Sequence, residues 1–340
     1  MKRTIIKGLV LVIAMLIIGG TLAITALALI RNAEAQRPKA GFTSILANED
    51  ICAMGYDGTT LFAAGANGIF QINPETMASE ELGDFTYVRC LYADESGLWA
   101  GTDTGLYHLG GNQITRYTTK DGLPDDRVLA IVALENNQLC LGTWGGAVEM
   151  AVTETGALSF ITAYTSQNGL LTDNVNVISQ DRLGGLWFGS YVAPRGGVSV
   201  RLLNGEWQHF TTENGLLHGN ITGMLARRDG TLVVGAGLYQ YGGATVFAQA
   251  AGKWQPVKTL TQSDGLAGEK VRSLYEDQRG RLWIGSEYDG LVIIEEDRIT
   301  KLTSETGLAH NEVKVITEDR AGNYWIGTLN GLTRIDGGVV

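Results

Sequence analysis

The sequence has few of the residues on which enzyme chemistry and metal binding usually depend. Only four histidines occur in 340 residues, His108, His209, His218 and His310. No two of them have the spacing of a metal-binding pair such as H-x-x-x-H, and no G-x-S-x-G nucleophile motif occurs. We therefore expect no cofactor, no metal site and no catalytic centre.

Cysteine and proline are also scarce. Cys52, Cys90 and Cys140 are odd in number and lie in strand-like stretches, so a disulfide framework is not expected and we interpret them as small core residues. Five prolines against 46 glycines are typical of many tight turns rather than of a disordered linker.

Basic charge is concentrated at the N-terminus. Residues 1–40 contain six Lys or Arg and one acidic residue, which leaves 20 basic and 35 acidic residues in the rest of the chain. A nucleic-acid-binding protein would present a basic face, and the sequence shows none.

The long hydrophobic run of the chain, residues 8–30, predicts a membrane anchor. Its 23 uncharged residues follow the basic stretch Met1–Lys7, and as a helix they would rise about 35 Å, enough for a bilayer core of roughly 30 Å. The basic flank places the N-terminus in the cytoplasm and everything after residue 40 outside. The alternative is a signal peptide cleaved after Ala33-Glu34-Ala35, which would give a secreted protein.

Beyond residue 40, a strand–glycine–loop–strand pattern recurs seven times. Clear copies are GLWAGTDTGLYHL from Gly97, GRLWIGSEYDGLVII from Gly280 and NYWIGTLNGLTRI from Asn323. The glycines after the first strands are 36 to 50 residues apart and are Gly65, Gly101, Gly142, Gly189, Gly235, Gly285 and Gly327. This period predicts an all-β fold, a seven-bladed β-propeller over residues 41–340 with one four-stranded blade per repeat.

The two ends of the chain predict how the ring closes. Blade 7 reaches Val340 with three strands, whereas an additional apolar segment, Phe42–Leu46, precedes blade 1. We expect this segment to supply the outer strand of blade 7, which would leave no open sheet edge.

Two further motifs recur in phase with the blades. Four inner strands read V-x-x-(I/L)-x-x-D with Gly three residues on, and their aspartates, Asp94, Asp181, Asp277 and Asp319, fit turn caps better than calcium ligands. Five linkers contain (N/D/T)GL, and we expect the Leu of this motif to pack between neighbouring blades. We expect the same packing role for the tryptophans of the second strands, Trp99, Trp187, Trp283 and Trp325.

The loops after the repeat glycines supply the candidate ligand site. They are enlarged in blades 4 and 5, and aromatic and charged residues occur in four consecutive blades. We expect this loop face to bind a small polar ligand, such as a carbohydrate, in one sector of the channel mouth. The alternative is that these are ordinary solvated loops. The candidate residues are Trp144, Tyr191, Arg195, Tyr239, Tyr241, Glu287, Tyr288 and Asp289.

The motifs LWIGS-EYDGL and YWIGT-LNGL, with the (N/D)GL linkers, resemble the two-component regulator propeller repeat. The resemblance covers about residues 42–340 and implies an extracytoplasmic sensor propeller that binds a ligand, often a carbohydrate breakdown product. Members of that family usually continue into an immunoglobulin-like module, a second membrane segment and a histidine kinase. None of these follows here, so a separate kinase or other membrane protein is the expected partner, besides a small-molecule or oligosaccharide ligand.

Two other functions stay open at this stage. Propeller faces also serve as protein-interaction scaffolds at the membrane surface. The chain in addition resembles the streptogramin lyases, seven-bladed propellers with similar repeats, in which case His218 or His310 would be the candidate general base.

The anchor can be tested directly. A retained helix predicts that the mature chain starts at or near Met1 and stays with membranes after a carbonate wash. N-terminal sequencing that begins at Gln36 would instead show cleavage after Ala35.

Overall fold

The computed structural model describes residues 39–111, 113–153 and 156–340. The predicted anchor, residues 8–30, and the Ala33–Ala35 cleavage site lie outside the described residues. In the part of the chain that is described, no helix is long and apolar enough to cross a membrane. Residues 41–340 form one compact unit.

The described residues of this unit form seven antiparallel four-stranded sheets, one for each predicted repeat. The seven-bladed propeller is thereby confirmed. In blades 1 to 6 the chain runs from an inner strand through a second and a third to an outer strand, and then crosses to the next blade.

The strand bounds are as follows. The inner strands of blades 1 to 7 are Ile51–Tyr56, Val88–Asp94, Val128–Leu134, Val177–Gln180, Ile221–Ala226, Val271–Glu276 and Val313–Glu318. The second strands are Leu61–Gly65, Gly97–Thr102, Gln138–Thr143, Leu186–Gly189, Leu232–Leu238, Leu282–Ser286 and Tyr324–Thr328. The third strands are Ile69–Ile72, Gly105–Gly110, Gly146–Val152, Val198–Arg201, Tyr241–Ala250, Leu291–Glu295 and Gly331–Ile335. The outer strands are Ser79–Glu81, Gln113–Tyr117, Leu158–Tyr164, Trp207–Phe210, Lys253–Leu260, Arg298–Leu302 and, for blade 7, Phe42–Ile45.

The ring closes as the sequence predicts. Phe42–Ile45 pairs antiparallel with the third strand of blade 7, from Phe42 opposite Ile335 to Ile45 opposite Leu332. Phe42 is buried with the core of blades 6 and 7, and Ile45 packs against the core between blades 7 and 1. The first described strand thus completes the last blade.

The recurring aspartates cap the hairpin between the first two strands and also hold the buried tryptophans. In blade 6 the Asp277 carboxylate accepts bonds from the backbone N–H of Arg281 at 2.9 Å and from the Trp283 indole N–H at 2.9 Å. Asp181 with Trp187 and Asp319 with Trp325 repeat this geometry in blades 4 and 7. The structural interpretation of these aspartates is confirmed.

Blade 2 departs from this pattern because its hairpin is one residue shorter. Trp99 follows Asp94 by five residues, whereas Trp283 follows Asp277 by six. The Trp99 indole nitrogen is buried without a hydrogen-bond partner among the described residues, and its ring stacks on His108 at 3.9 Å.

The linkers between blades are tight turns that place a leucine in the core. Leu123, Leu170, Leu216, Leu266 and Leu308 are all buried, each in a cluster shared by two neighbouring blades. Three linkers contain short 3-10 helices: Thr119–Asp121, Gln262–Asp264 and Ser304–Thr306. At Gly169 the φ angle is +140° and a Cβ would lie 2.1 Å from the Trp207 ring, so this linker position requires glycine.

The four repeat tryptophans are completely buried, as predicted. They contact residues of the adjacent blade, as Trp283 does with Tyr324 at a ring distance of 4.4 Å. Cys90 and Cys140 also lie among the core clusters. Cys52 differs from expectation, because it lies at the end of the central channel rather than in the core.

The closure predicts the effect of a short truncation. A chain that starts at Asn48 loses Phe42–Ile45 and exposes the edge of blade 7. Compared with a chain that starts at Lys39, it should lose at least about 3 kcal/mol of unfolding free energy, the cost of removing one buried phenylalanine, and it should aggregate. Equal melting temperatures for the two chains, measured by calorimetry, would contradict this closure.

The capping aspartates predict a second effect on stability. Asp277 is fully buried and pairs with Arg281 at 2.7 Å. Burial alone would raise the pKa of the Asp277 carboxyl, but the bonds from Trp283 and Arg281 lower it below its ordinary value. Asp277→Asn leaves the Arg281 charge unpaired and should cost about 3–5 kcal/mol at neutral pH.

Because the folded pKa is lowered, the advantage of the parent over Asp277→Asn is fully present above pH about 4 and shrinks as the carboxyl is protonated in more acid solution. Denaturant unfolding at several pH values measures both effects. Asp297→Asn, in an exposed turn of the same blade, is the control and should change stability by less than about 0.5 kcal/mol. A similarly small effect of Asp277→Asn would refute the capping role.

Candidate functional site

The inner strands share a distortion where they approach the loop face. In six blades the register with the second strand shifts by one residue just after the first apolar residue, the pattern of a β-bulge. The bulged residues are Cys52, Arg89, Leu129, Thr222, Arg272 and Lys314. Asn176 occupies the same position in blade 4, where the backbone N–H of Val175 bonds to Thr143 of the neighbouring blade. We call these seven residues the bulge ring.

The bulge ring lines a cavity of about 620 Å³. Because one residue comes from each of the seven blades, this cavity lies on the ring axis, and we call it the mouth cavity. Its remaining lining residues come from the loop face and are Asp103, Arg127, Trp144, Asn174 and Tyr191. The fold therefore converts seven equivalent backbone positions into one polar site.

Blades 2 and 3 contribute two arginines that are held by different contacts. The Arg89 guanidinium donates two hydrogen bonds to the Asp103 carboxylate, at 2.8 and 2.7 Å. The Arg127 guanidinium lies over the ring of Trp144, 3.8 Å from its centre, a cation–π contact. Trp144 is half exposed, so the pair forms a broad rim on this side of the cavity.

Blades 6, 7 and 1 contribute a row of alternating charges. Lys314 Nζ lies 2.7 Å from Asp50 and 3.4 Å from Glu312, and Arg272 lies 3.5 Å from both Glu312 and Glu287. The row ends at Lys270, whose Nζ is 2.5 Å from Glu287. Burial would raise the pKa of the Glu287 carboxyl, but the bond from Lys270 and the charge of Arg272 lower it, so this carboxylate stays ionised at neutral pH.

Blades 4 and 5 contribute neutral polar groups. Asn176 Nδ2 donates a hydrogen bond to the carbonyl of Ile221 at 3.2 Å, and its Oδ1 takes no part in that bond. The hydroxyl of Thr222 donates to the carbonyl of Val271, and Lys270 Nζ lies 3.3 Å from the Tyr191 hydroxyl. Hydroxyl and amide groups of this kind exchange hydrogen bonds with the hydroxyls of a polar ligand.

The structure divides the sequence-predicted site residues between two places. Trp144 and Tyr191 line the mouth cavity. Tyr239, Glu287, Tyr288 and Asp289 line a separate groove of about 440 Å³ between blades 5 and 6, together with Lys270. The Tyr191–Lys270–Glu287 contacts connect the two places. Arg195 and Tyr241 are exposed and line neither of them.

The enlarged blade 5 loop is an extension of the hairpin between the second and third strands. The second and third strands continue to Leu238 and from Tyr241, so that only Tyr239 and Gln240 form the turn. Tyr239 has φ +53° and is 69% exposed. Neither tyrosine of this hairpin, Tyr239 or Tyr241, lines the mouth cavity. In blade 4 the loop stays close to the axis, because Tyr191 forms a β-bridge with Asn220.

Sequence reasoning missed the charged members of the bulge ring. Arg89, Arg272 and Lys314 lie within apolar inner strands, where loop length and loop composition give no signal. Their phase was visible, since each directly follows the first valine of its inner strand. The available signal was this one position of the repeat, at which the side-chain type changes from blade to blade while the apolar residue before it is kept.

The two linker histidines have a shared geometry that bears on base catalysis. Nδ1 of His218 accepts the backbone N–H of Asn220 at 3.0 Å, and Nδ1 of His310 accepts that of Glu312 at 2.9 Å. A neutral imidazole that accepts at Nδ1 carries its proton on Nε2. The outer nitrogen of each ring is then a donor, which does not suit a general base. Burial, followed by the charge of Lys270, also lowers the pKa of His218.

No group of three or more metal-ligating side chains occurs among the described residues. No curated protein matches the sequence significantly.

Solved structures show the same fold. The extracellular domain of a B. thetaiotaomicron protein named as a hybrid two component system matches with a TM-score of 0.73 at 19% identity, over 88% of this chain and 41% of that one. A second extracellular domain from that organism matches with a TM-score of 0.69 at 18% identity, over 88% and 40%. The present chain thus spans about two fifths of the length of these two structures. A catalytically inactive virginiamycin B lyase from Staphylococcus aureus, solved with quinupristin, matches with a TM-score of 0.65 at 13% identity, over 87% and 98%.

A family model also matches the sequence itself. The model described as "Two component regulator propeller" matches residues 265–288 and 307–330, which are the segments around Trp283 and Trp325. Each matched segment begins in an inter-blade linker and ends in the loop that follows the second strand. The resemblance predicted from the repeats is confirmed in these two segments, which match the two component regulator propeller repeat.

Proposed function

We propose that the propeller is an extracytoplasmic sensor domain that binds a small polar ligand, of the carbohydrate class, in the mouth cavity. The observation that carries the proposal is the bulge ring, because all seven blades turn one side chain into a single cavity of about 620 Å³. That volume lies within the range of ligand pockets, roughly 300–1,000 Å³. The membrane anchor in residues 8–30 remains part of this proposal.

The chemistry of the lining supports a polar ligand. An exposed indole, Trp144, lines the same cavity as the amides of Asn174 and Asn176 and the side chain of Tyr191. An aromatic face packs against the apolar face of a sugar ring, while amides and hydroxyls bond to its equatorial hydroxyls. The similarity to extracellular domains of proteins named as hybrid two component systems supports the same proposal.

Binding is favoured over catalysis by the groups present. The virginiamycin B lyase that shares this fold was solved as a histidine-to-alanine variant, and that variant is catalytically inactive. In the present chain Nδ1 of both linker histidines accepts a backbone N–H, which leaves the proton on Nε2. We therefore propose a non-catalytic role, with the output passed to a separate histidine kinase or another membrane protein.

A protein-interaction scaffold is the second candidate. It is favoured by the exposed aromatic side chains near the blade 5–6 groove, where Tyr239 is 69% and Tyr288 51% exposed. This surface lies beside the mouth cavity, so the two functions make different predictions for variants at the two places.

A thermal-shift titration of the full chain against neutral and acidic sugars tests the proposal. A ligand present at 100 times its dissociation constant should add about 2.7 kcal/mol of stability, and the shift should grow with concentration. Trp144→Ala and Asn176→Ala should each weaken binding by roughly 1–3 kcal/mol, because each removes a contact to a desolvated ligand group.

Tyr241→Ala is the matched control, since it removes an aromatic ring that lines neither cavity, and it should bind like the parent. A shift that survives both mouth variants but disappears in Tyr239→Ala would move the site to the blade 5–6 groove. The absence of a shift with every sugar would overturn the carbohydrate proposal.

A further inference from the structure

We propose that the mouth cavity takes an anionic group of the ligand and seats it between Arg272 and Lys314. This inference rests on the proposed function and specifies the ligand class further, as a molecule with a carboxylate or phosphate group. It comes from the bulge ring and not from the loop residues that the sequence singled out.

The charges that face the cavity are mostly positive. Its lining contains Arg89, Arg127, Arg272 and Lys314, but Asp103 is the one carboxylate among these described lining residues. Asp50, Glu287 and Glu312 contact the cations without lining the cavity. The cations therefore stand between their counter-charges and the ligand space.

The positive lining contrasts with the rest of the propeller. After residue 40 the sequence has 20 basic and 35 acidic residues, so a random choice of lining would be acidic. Four cations line the cavity against the single carboxylate of Asp103, and an excess of one sign of charge in a cleft attracts ligands of the opposite sign. The carboxylates of Asp50, Glu287 and Glu312 pair with two of these cations, so a bound anion would share the cations with them.

The four cations differ in how far they are already engaged. Arg89 directs two guanidinium nitrogens to Asp103, and Arg127 stacks on Trp144. The Arg272 side chain forms ion pairs with Glu287 and Glu312, and both are 3.5 Å long. Lys314 is held more tightly, because its Nζ lies 2.7 Å from Asp50. The Arg272 side chain is 28% exposed, so part of its guanidinium is accessible to a ligand.

Arg272 and Lys314 also lie close enough to act together. Both contact the same atom, Glu312 Oε1, Arg272 at 3.5 Å and Lys314 at 3.4 Å. An anion in the cavity would accept the fork of the guanidinium and one N–H of the ammonium. Glu312 bridges the two cations through this oxygen and reduces their repulsion when the site is empty.

Two sources can supply the anionic group. In an acid sugar the carboxylate would bind Arg272 and Lys314 while the ring hydroxyls reach Asn176 and Thr222. Inorganic phosphate would use the two cations alone. The two sources differ in whether the neutral groups of Asn176 and Thr222 contribute to binding.

Calorimetric titration of the full chain with galacturonate, galactose and inorganic phosphate distinguishes these cases. We expect galacturonate to bind at least about tenfold more tightly than galactose, since charge-assisted hydrogen bonds contribute more than neutral ones. Binding of galacturonate should weaken in high salt. Phosphate that binds as tightly as galacturonate supports the anion site but assigns it to a free anion.

Variants locate the site. Arg272→Gln and Lys314→Gln should each weaken galacturonate binding by about tenfold or more and leave galactose binding nearly unchanged. Arg298→Gln is the matched control, because Arg298 is exposed in the outer strand of the same blade. Circular dichroism melting of each variant reports whether it is folded at the titration temperature.

Three outcomes would overturn the inference. Equal affinity for galactose and galacturonate would leave the proposed sugar-binding function standing but remove the anion specificity. Galacturonate binding that is unchanged in folded Arg272→Gln and Lys314→Gln would place the anion elsewhere. Failure of every sugar and of phosphate to bind would overturn this inference and the proposed function together.

Discussion

The propeller depends on one pairing between residues that are far apart in the sequence. Phe42–Ile45 pairs with the third strand of blade 7, and the register runs from Phe42 opposite Ile335 to Ile45 opposite Leu332. Each blade buries its faces only against its two neighbours, so every blade requires the ring to be closed. A closed ring also fixes the inner strands around a common axis, which is the condition for any shared site at the mouth.

The inner-strand bulge gives the closed ring its candidate binding site. A bulge re-aims one side chain without ending the strand, and here it does so at equivalent positions around the axis. The packing residues before it, such as Val271 and Val313, stay fully buried, while Arg272 and Lys314 face the cavity. The buried residue of each such pair stabilises the blade, and the residue after it lines the cavity. The cavity-lining residue can therefore vary while the packing residue is kept.

The fold was largely predictable because repetition averages out local ambiguity. Seven copies of a strand–glycine–strand unit, the buried tryptophans and the closing strand all follow from phase and from apolar pattern. The candidate site was predictable only in part. Trp144 and Tyr191 line the mouth cavity, yet Tyr241 and Arg195 do not. Loop length did not reveal that residues 238–241 extend a hairpin, and alternation along a strand did not reveal a bulge that changes the direction of Arg272.

The most direct test of the account is a crystal structure of the full chain grown with a sugar that stabilises it. The account predicts density for the sugar on the ring axis, in contact with Trp144 on one side and with at least two members of the bulge ring. Density confined to the groove between blades 5 and 6, or to the outer strands, with an empty mouth cavity, would contradict it.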